Sequence, residues 1–243
     1  MSISKPIFYG NWRSSSSQRV RIGLGLKGIE VDYRPIDLSR AEQTSDAFRR
    51  IHPGAQVPVL LIDGLTLSQS VPILEFLDER FADRGVRLLP DTIERRFAAR
   101  EIAAFVASFM QPFQLPGVTR RRMVDAFGLE SHELGVDGAC RRFIKWHLEA
   151  ALPELERLVS RRAGTFCIAD APSLADCVVF PQLIGAASFG VDVKPCRTLS
   201  RVYEECMRLP TFADSLPERQ VDAPKARAAT DALAASPTNP DIA

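Results

Sequence analysis

Residues 58–67 restrict the fold more than any other stretch of the chain. Pro58-Val-Leu-Leu-Ile62 and Leu65-Thr-Leu67 are extended apolar runs joined by Asp63-Gly64. Asp-Gly is a favoured pair for the two-residue type I′ turn, whose central residues both take positive φ. The stretch therefore predicts an antiparallel hairpin. A lone hairpin is marginal in water, so its apolar face needs further strands or a covering helix.

The flanking sequence supplies both. Pro6–Tyr9 reads as a short strand, and Ser14–Ser17 offers hydroxyls that can cap a helix through Arg19–Lys27. Val20, Leu24 and Lys27 share one face, Ile22 and Leu26 extend its apolar side, and Gly28 stands where a left-handed terminator belongs. Tyr33–Leu38 reads as a second strand and Glu42–Arg50 as a short polar helix. After the hairpin, Val71, Leu74, Leu77 and Asp78 recur at helical spacing through Ser70–Phe81. The order βαβαββα joins a parallel unit to an antiparallel hairpin, the thioredoxin-like α/β arrangement. Beyond a connector at 82–91 every segment reads helical, over 92–110, 136–161, 173–188 and 198–208. Ser173-Leu-Ala-Asp176 is a capping-box variant ahead of an apolar run. The expected division is a thioredoxin-like domain (1–81), a linker (82–91), an all-helical domain (92–221) and a disordered tail (222–243).

Composition narrows the chemistry by exclusion. With 31 Lys+Arg against 30 Asp+Glu the net charge is +1, which gives no reason to expect nucleic acid or an anionic membrane as partner. The N-terminus carries no apolar leader core, and Cys177–Val191, interrupted by Pro181 and Gln182, is too short to span a bilayer. A cytoplasmic protein is expected. Cysteines at 140, 167, 177, 196 and 206 include no CxxC, and their number is odd. Neither a disulfide framework nor a metal site follows from them or from His52, His132 and His147.

A thioredoxin-like half without CxxC, joined to a helical half, leaves few families. Trp12-Arg-Ser-Ser-Ser-Ser-Gln-Arg-Val-Arg-Ile22, Ala55-Gln-Val-Pro-Val-Leu60 and Ser68-Gln-Ser-Val-Pro-Ile73 carry the resemblance in the first half. Gln111-Pro-Phe-Gln114, Pro172-Ser-Leu-Ala-Asp-Cys177 and Val179-Phe-Pro-Gln-Leu183 carry it in the second. The chain resembles the cytosolic glutathione transferases, and among them the zeta class, which includes maleylacetoacetate and maleylpyruvate isomerases.

The resemblance implies the glutathione transferase fold, glutathione as cofactor, a small electrophilic substrate and a homodimer. It gives Ser14 the role of hydrogen-bond donor to the glutathione sulfur, with Ser15 and Ser16 lining the same helix start. It implies a cis Val57-Pro58 bond beside the cysteinyl backbone, and Gln69 and Ser70 at the γ-glutamyl end. Gln111 and Gln43 match further glutathione contacts. Residue chemistry alone leaves simpler roles open, since Ser14 and Ser70 also suit helix caps and Pro58 a strand start.

The departures bear on the substrate. Ser16 stands where many zeta-class members carry cysteine, Gln18 replaces a tryptophan, and Leu115 replaces an asparagine. Ser188 precedes Phe189 where the isomerases carry an arginine for a substrate carboxylate. Arg13, or Arg121 within Arg120–Arg122, are the candidate replacements. A glutathione transferase is therefore the first expectation and a maleylacetoacetate or maleylpyruvate isomerase the second. A non-catalytic binding module is the third, and the intact Ser14, Val57-Pro58 and Gln69-Ser70 set argues against it.

Overall fold

A computed structural model of the protein describes residues 5–115, 118–119 and 135–224. Strands β1 (Ile7–Gly10), β2 (Asp32–Pro35), β3 (Val59–Ile62) and β4 (Leu65–Ser68) form one sheet in the order β2-β1-β3-β4. β1 runs parallel to β2 and antiparallel to β3, with Tyr9 opposite Val59, and β3–β4 is the expected hairpin. Its turn residues Asp63 and Gly64 have φ of 51° and 78°, the positive pair a type I′ turn requires.

Helices α1 (Ser15–Leu26) and α3 (Ser70–Arg80) cover one sheet face around Phe8, Val20, Leu24, Leu60 and Leu77. Helix α2 (Asp46–Ile51) lies in the Tyr9–Phe48–Val59 cluster. A Cβ at Gly23 would fall 2.1 Å from Leu74 Cδ2, so glycine there permits the close approach of α1 to α3. At Gly28 (φ 62°) the amides of Gly28 and Ile29 donate back to Gly25 and Leu24 and end α1.

Between β2 and α2 two boundaries differ from the sequence expectation. The second strand stops at Pro35, and Leu38–Arg40 forms a 3-10 turn instead. The segment expected as one helix over Glu42–Arg50 divides into a 3-10 turn (Glu42–Thr44) and α2. Ser45 is extended there, and its hydroxyl accepts the Phe48 amide at 3.2 Å, starting a fresh helix.

In the helical half, α4 (Ile93–Ala104) continues through a π-helical stretch (Phe105–Met110) into a 3-10 turn (Gln111–Phe113). Then follow α5 (Gly135–Ser160), α6 (Leu174–Ser188), α7 (Arg197–Met207), α8 (Pro210–Asp214) and a 3-10 turn (Pro217–Arg219). The Asp176 carboxylate accepts from the Ser173 amide and hydroxyl and from the Cys167 amide, each at 2.8 Å, and so fixes the start of α6. Burial pushes the Asp176 pKa above the usual carboxylate range. One apolar core crosses the division, joining Ile22, Leu26 and Leu74 to Leu152, Val178 and Phe212.

The connector at 82–91 is packed in place. Leu88 and Leu89 are buried, and their amides donate to Asp78 Oδ1 and Oδ2 at 2.7 and 3.1 Å. The expected tail also begins too early. Asp222 and Ala223 are buried, because Asp222 accepts the Trp12 amide at 2.9 Å and the Tyr33 hydroxyl at 3.2 Å. The rest of that expected tail, 225–243, lies outside the described residues. Among the described residues no helix is long and apolar enough to cross a membrane.

Candidate functional site

Topology gathers the candidate residues at one end of the sheet. β1 finishes at Gly10 and enters the loop to α1; antiparallel β3 starts at that same end, and β4 returns to it before α3. The start of α1, the entry to β3 and the start of α3 therefore lie side by side.

The β1–α1 loop is held by groups from distant parts of the chain. Buried Asn11 donates from Nδ2 to the Ile36 carbonyl at 2.9 Å, and its amide donates to Ser17 Oγ at 3.2 Å. Arg21 donates to the carbonyls of Asn11 and Trp12 at 3.3 and 3.2 Å. Burial lowers the Arg21 pKa, against the raising influence of Tyr33 and Asp222. Burial, then the Asp222 charge, pushes the Tyr33 phenol up.

On this frame three serine hydroxyls share one arrangement. Ser14 is the N-cap of α1, and its Oγ accepts the Ser17 amide at 3.2 Å. Ser16 Oγ accepts from Gln111 Nε2, in the turn that follows the π-helical stretch. Ser70 Oγ accepts from Arg19 Nη1 at 3.3 Å. A hydroxyl has one proton to donate. Where an internal donor already occupies the oxygen, that proton remains for an outside acceptor. Ser15 makes no side-chain hydrogen bond among the described residues.

The β3 entry carries a cis Val57-Pro58 bond. The register, with Tyr9 opposite Val59, sets Val57 alongside the start of the serine loop. Ser70, expected as a cap for α3, is instead its first helical residue and the cap is Gln69. Gln69 takes φ 69°, a costly conformation for a non-glycine residue and one that clusters at ligand sites. Gln43 sits in the 3-10 turn before α2, its Oε1 buried with no donor among the described residues.

The other candidates scatter. Arg13 is exposed and close in sequence to the serines; Arg121, with Arg120 and Arg122, lies outside the described residues. Ser188 ends α6, exposed, with its hydroxyl on the Gly185 carbonyl at 2.7 Å. Sequence reading missed the cation found there. Arg141 of α5 donates to the Ser188 carbonyl at 3.4 Å, and its guanidinium lies 5.4 Å from the Phe189 ring centroid. Lys145 Nζ reaches the Gly190 carbonyl at 3.1 Å. The carbonyl end of a helix attracts cations, the one signal that could have pointed to them. Gln18, in place of tryptophan, is buried and donates to Ser215 Oγ at 3.2 Å. Among the described residues no cluster of His, Cys, Asp or Glu is placed to hold a metal ion.

Known proteins similar to this chain in sequence and structure fall in one family. Residues 13–80 match the family description "Glutathione S-transferase, N-terminal domain". Maleylacetoacetate isomerase of Mus musculus is 36% identical over 227 residues, 92% of this chain and 98% of the mouse protein. Glutathione S-transferase Z1 of Arabidopsis thaliana is 33% identical, covering 89% of this chain and 93% of its own length. Maleylacetoacetate isomerase from Anaeromyxobacter dehalogenans 2CP-1, solved with glutathione in its active site, superposes with a TM-score of 0.77. It is 40% identical, across 90% of this chain and 98% of that one.

Proposed function

The chain belongs to the glutathione S-transferase family, in its zeta-class branch, and from that membership we propose that it binds glutathione at this sheet end and activates the thiol toward a small electrophile. The observation that carries the reading is the shared state of Ser14, Ser16 and Ser70, whose oxygens are each engaged from inside the protein. Their protons are left for a thiolate and a carboxylate.

Bound glutathione supplies a sulfur nucleophile, which either forms a thioether or adds reversibly to a conjugated double bond, permits rotation and leaves. A free thiol has a pKa near 8.5, and lowering it by ~2 units takes about 2.7 kcal/mol of thiolate stabilisation. A hydrogen bond to a charged group contributes ~1.5–3 kcal/mol, and a helix N-terminus adds to it. Ser14 is the donor in this scheme, aligned by the Ser17 amide, with Ser15 and Ser16 in the same turn. Val57 pairs with the cysteinyl backbone ahead of Pro58, Gln69 and Ser70 take the γ-glutamyl end, and Gln43 and Gln111 close the sides.

Isomerisation of a maleyl acid is the second reading, favoured by Arg141. Its guanidinium sits at the Ser188–Phe189 corner, where the resembling isomerases carry their own arginine. We further propose a cytoplasmic homodimer. Ile93 and Phe97, on α4, are 69% and 60% exposed, and such apolar side chains suit a subunit contact.

Assays with glutathione against chlorodinitrobenzene and maleylacetone test the function. Glutathione-dependent conversion of the first supports a transferase, and of the second an isomerase. Retention on immobilised glutathione with turnover of neither would overturn both in favour of a binding module. A monomeric sedimentation profile would refute the dimer.

A further inference from the structure

Arg19 lies on α1, one turn beyond the serines, with 1% of its surface exposed. Its sole partner among the described residues is Ser70 Oγ, 3.3 Å from Nη1. Nε and Nη2 are buried and find no acceptor there, and no ion pair to Arg19 occurs among the described residues. A guanidinium carries five N–H donors and a permanent charge. Enclosing it without a counterion costs stability, and desolvation lowers its pKa to about 10. A side chain that destabilises the empty protein in this way calls for a ligand that relieves it.

The one contact shows where that ligand sits. Ser70 is the first residue of α3, an 11-residue helix whose N-terminal amides and dipole favour an anion. With Arg19 donating to the Ser70 oxygen, the hydroxyl proton is left for another acceptor, and the guanidinium charge is 3.3 Å from that oxygen.

We propose that Arg19 is a positioning residue that supplies, through Ser70, the buried countercharge for the α-carboxylate of glutathione's γ-glutamyl group. The assignment rests on the glutathione reading above. Arg19 touches neither the sulfur nor the electrophile; it orients the Ser70 hydroxyl and neutralises the carboxylate from within.

The test compares glutathione with 4-aminobutyryl-cysteinylglycine, the same tripeptide without that carboxylate, by calorimetry on the full chain. The unmodified protein should bind glutathione about 10–100-fold more tightly than the analogue, the range of a charged hydrogen bond. Arg19→Met should erase most of that ratio by weakening glutathione alone. Its Tm should stay level or rise, because an unpaired buried charge has gone. Arg19→Lys, which keeps the charge, should restore much of the ratio. Equal weakening toward both ligands, or an Arg19→Met protein that melts well below the original or fails to fold, would overturn the proposal and make Arg19 structural. Unchanged glutathione affinity in Arg19→Met would also overturn it. If the unmodified protein binds neither tripeptide, the glutathione reading itself has failed.

Discussion

Helix α1 and its C-cap residue bury two cations against α3, and their surroundings are opposite. Lys27, 1% exposed, meets Asp78 at 3.0 Å and the Val86 carbonyl at 3.1 Å. Asp78 in turn takes the amides of Leu88 and Leu89. Every strong group at that end has a partner, and the cluster ties the connector to both helices. At the other end Arg19 has a single hydroxyl. Paired burial serves the architecture, because both charges offset each other's desolvation. Unpaired burial persists beside the candidate site, where a ligand can complete it.

The largest effect comes from making the paired end resemble the unpaired one. Asp78→Ala strands Lys27 and two amides, and should cost ~3–5 kcal/mol of stability, read from denaturant midpoints. The glutathione affinity of the remaining folded protein should hold; if it falls with stability, the two ends are not separate in function. At the site end, Ser14→Ala should lower turnover by about 10–100-fold, the equivalent of ~1.5–3 kcal/mol. The pKa of bound glutathione, followed by thiolate absorbance, should rise while affinity changes much less. Full activity would pass the role to Ser15 or Ser16.

Asp222→Ala asks whether the serine loop depends on its remote acceptor. Removing the partner of the Trp12 amide and Tyr33 hydroxyl should cost about 1–3 kcal/mol and weaken glutathione binding. Stability loss with unaltered binding would confine Asp222 to the fold. The smallest change belongs to exposed Arg141. Arg141→Ala should reduce kcat/KM for maleylacetone roughly 2–5-fold, as suits a solvent-screened charge. Ser188→Arg should raise it with glutathione affinity unmoved, and no response in either variant would place the acid elsewhere.

The same contrast explains what could be read in advance. The Gly28 terminator, the Asp63-Gly64 turn and the Ser173–Asp176 box each depend on neighbours within a few residues, and local chemistry specifies them. The serine run belongs with them, since Ser14 caps α1 through Ser17. Local chemistry suits Ser70 to a cap as well as to a ligand contact, and the partner that its hydroxyl has, Arg19, is 51 residues away. Arg141 escaped notice because it reaches Ser188 across 47 residues and between two helices. The π-helical stretch that presents Gln111 leaves no mark in an apolar run that also suits an ordinary helix. Gln111 was placed at the site by resemblance; its contact with Ser16 was visible only in three dimensions.

The contact between Trp12 and Asp222 also sets an order of events during synthesis. Its two ends are 210 residues apart, so at ~5–20 residues per second the acceptor emerges from the ribosome about 10–40 s after the donor. A nascent chain that already holds the whole thioredoxin-like half still lacks the carboxylate that secures its serine loop. The loop of the proposed glutathione site is therefore completed only by a residue synthesised 210 positions after it.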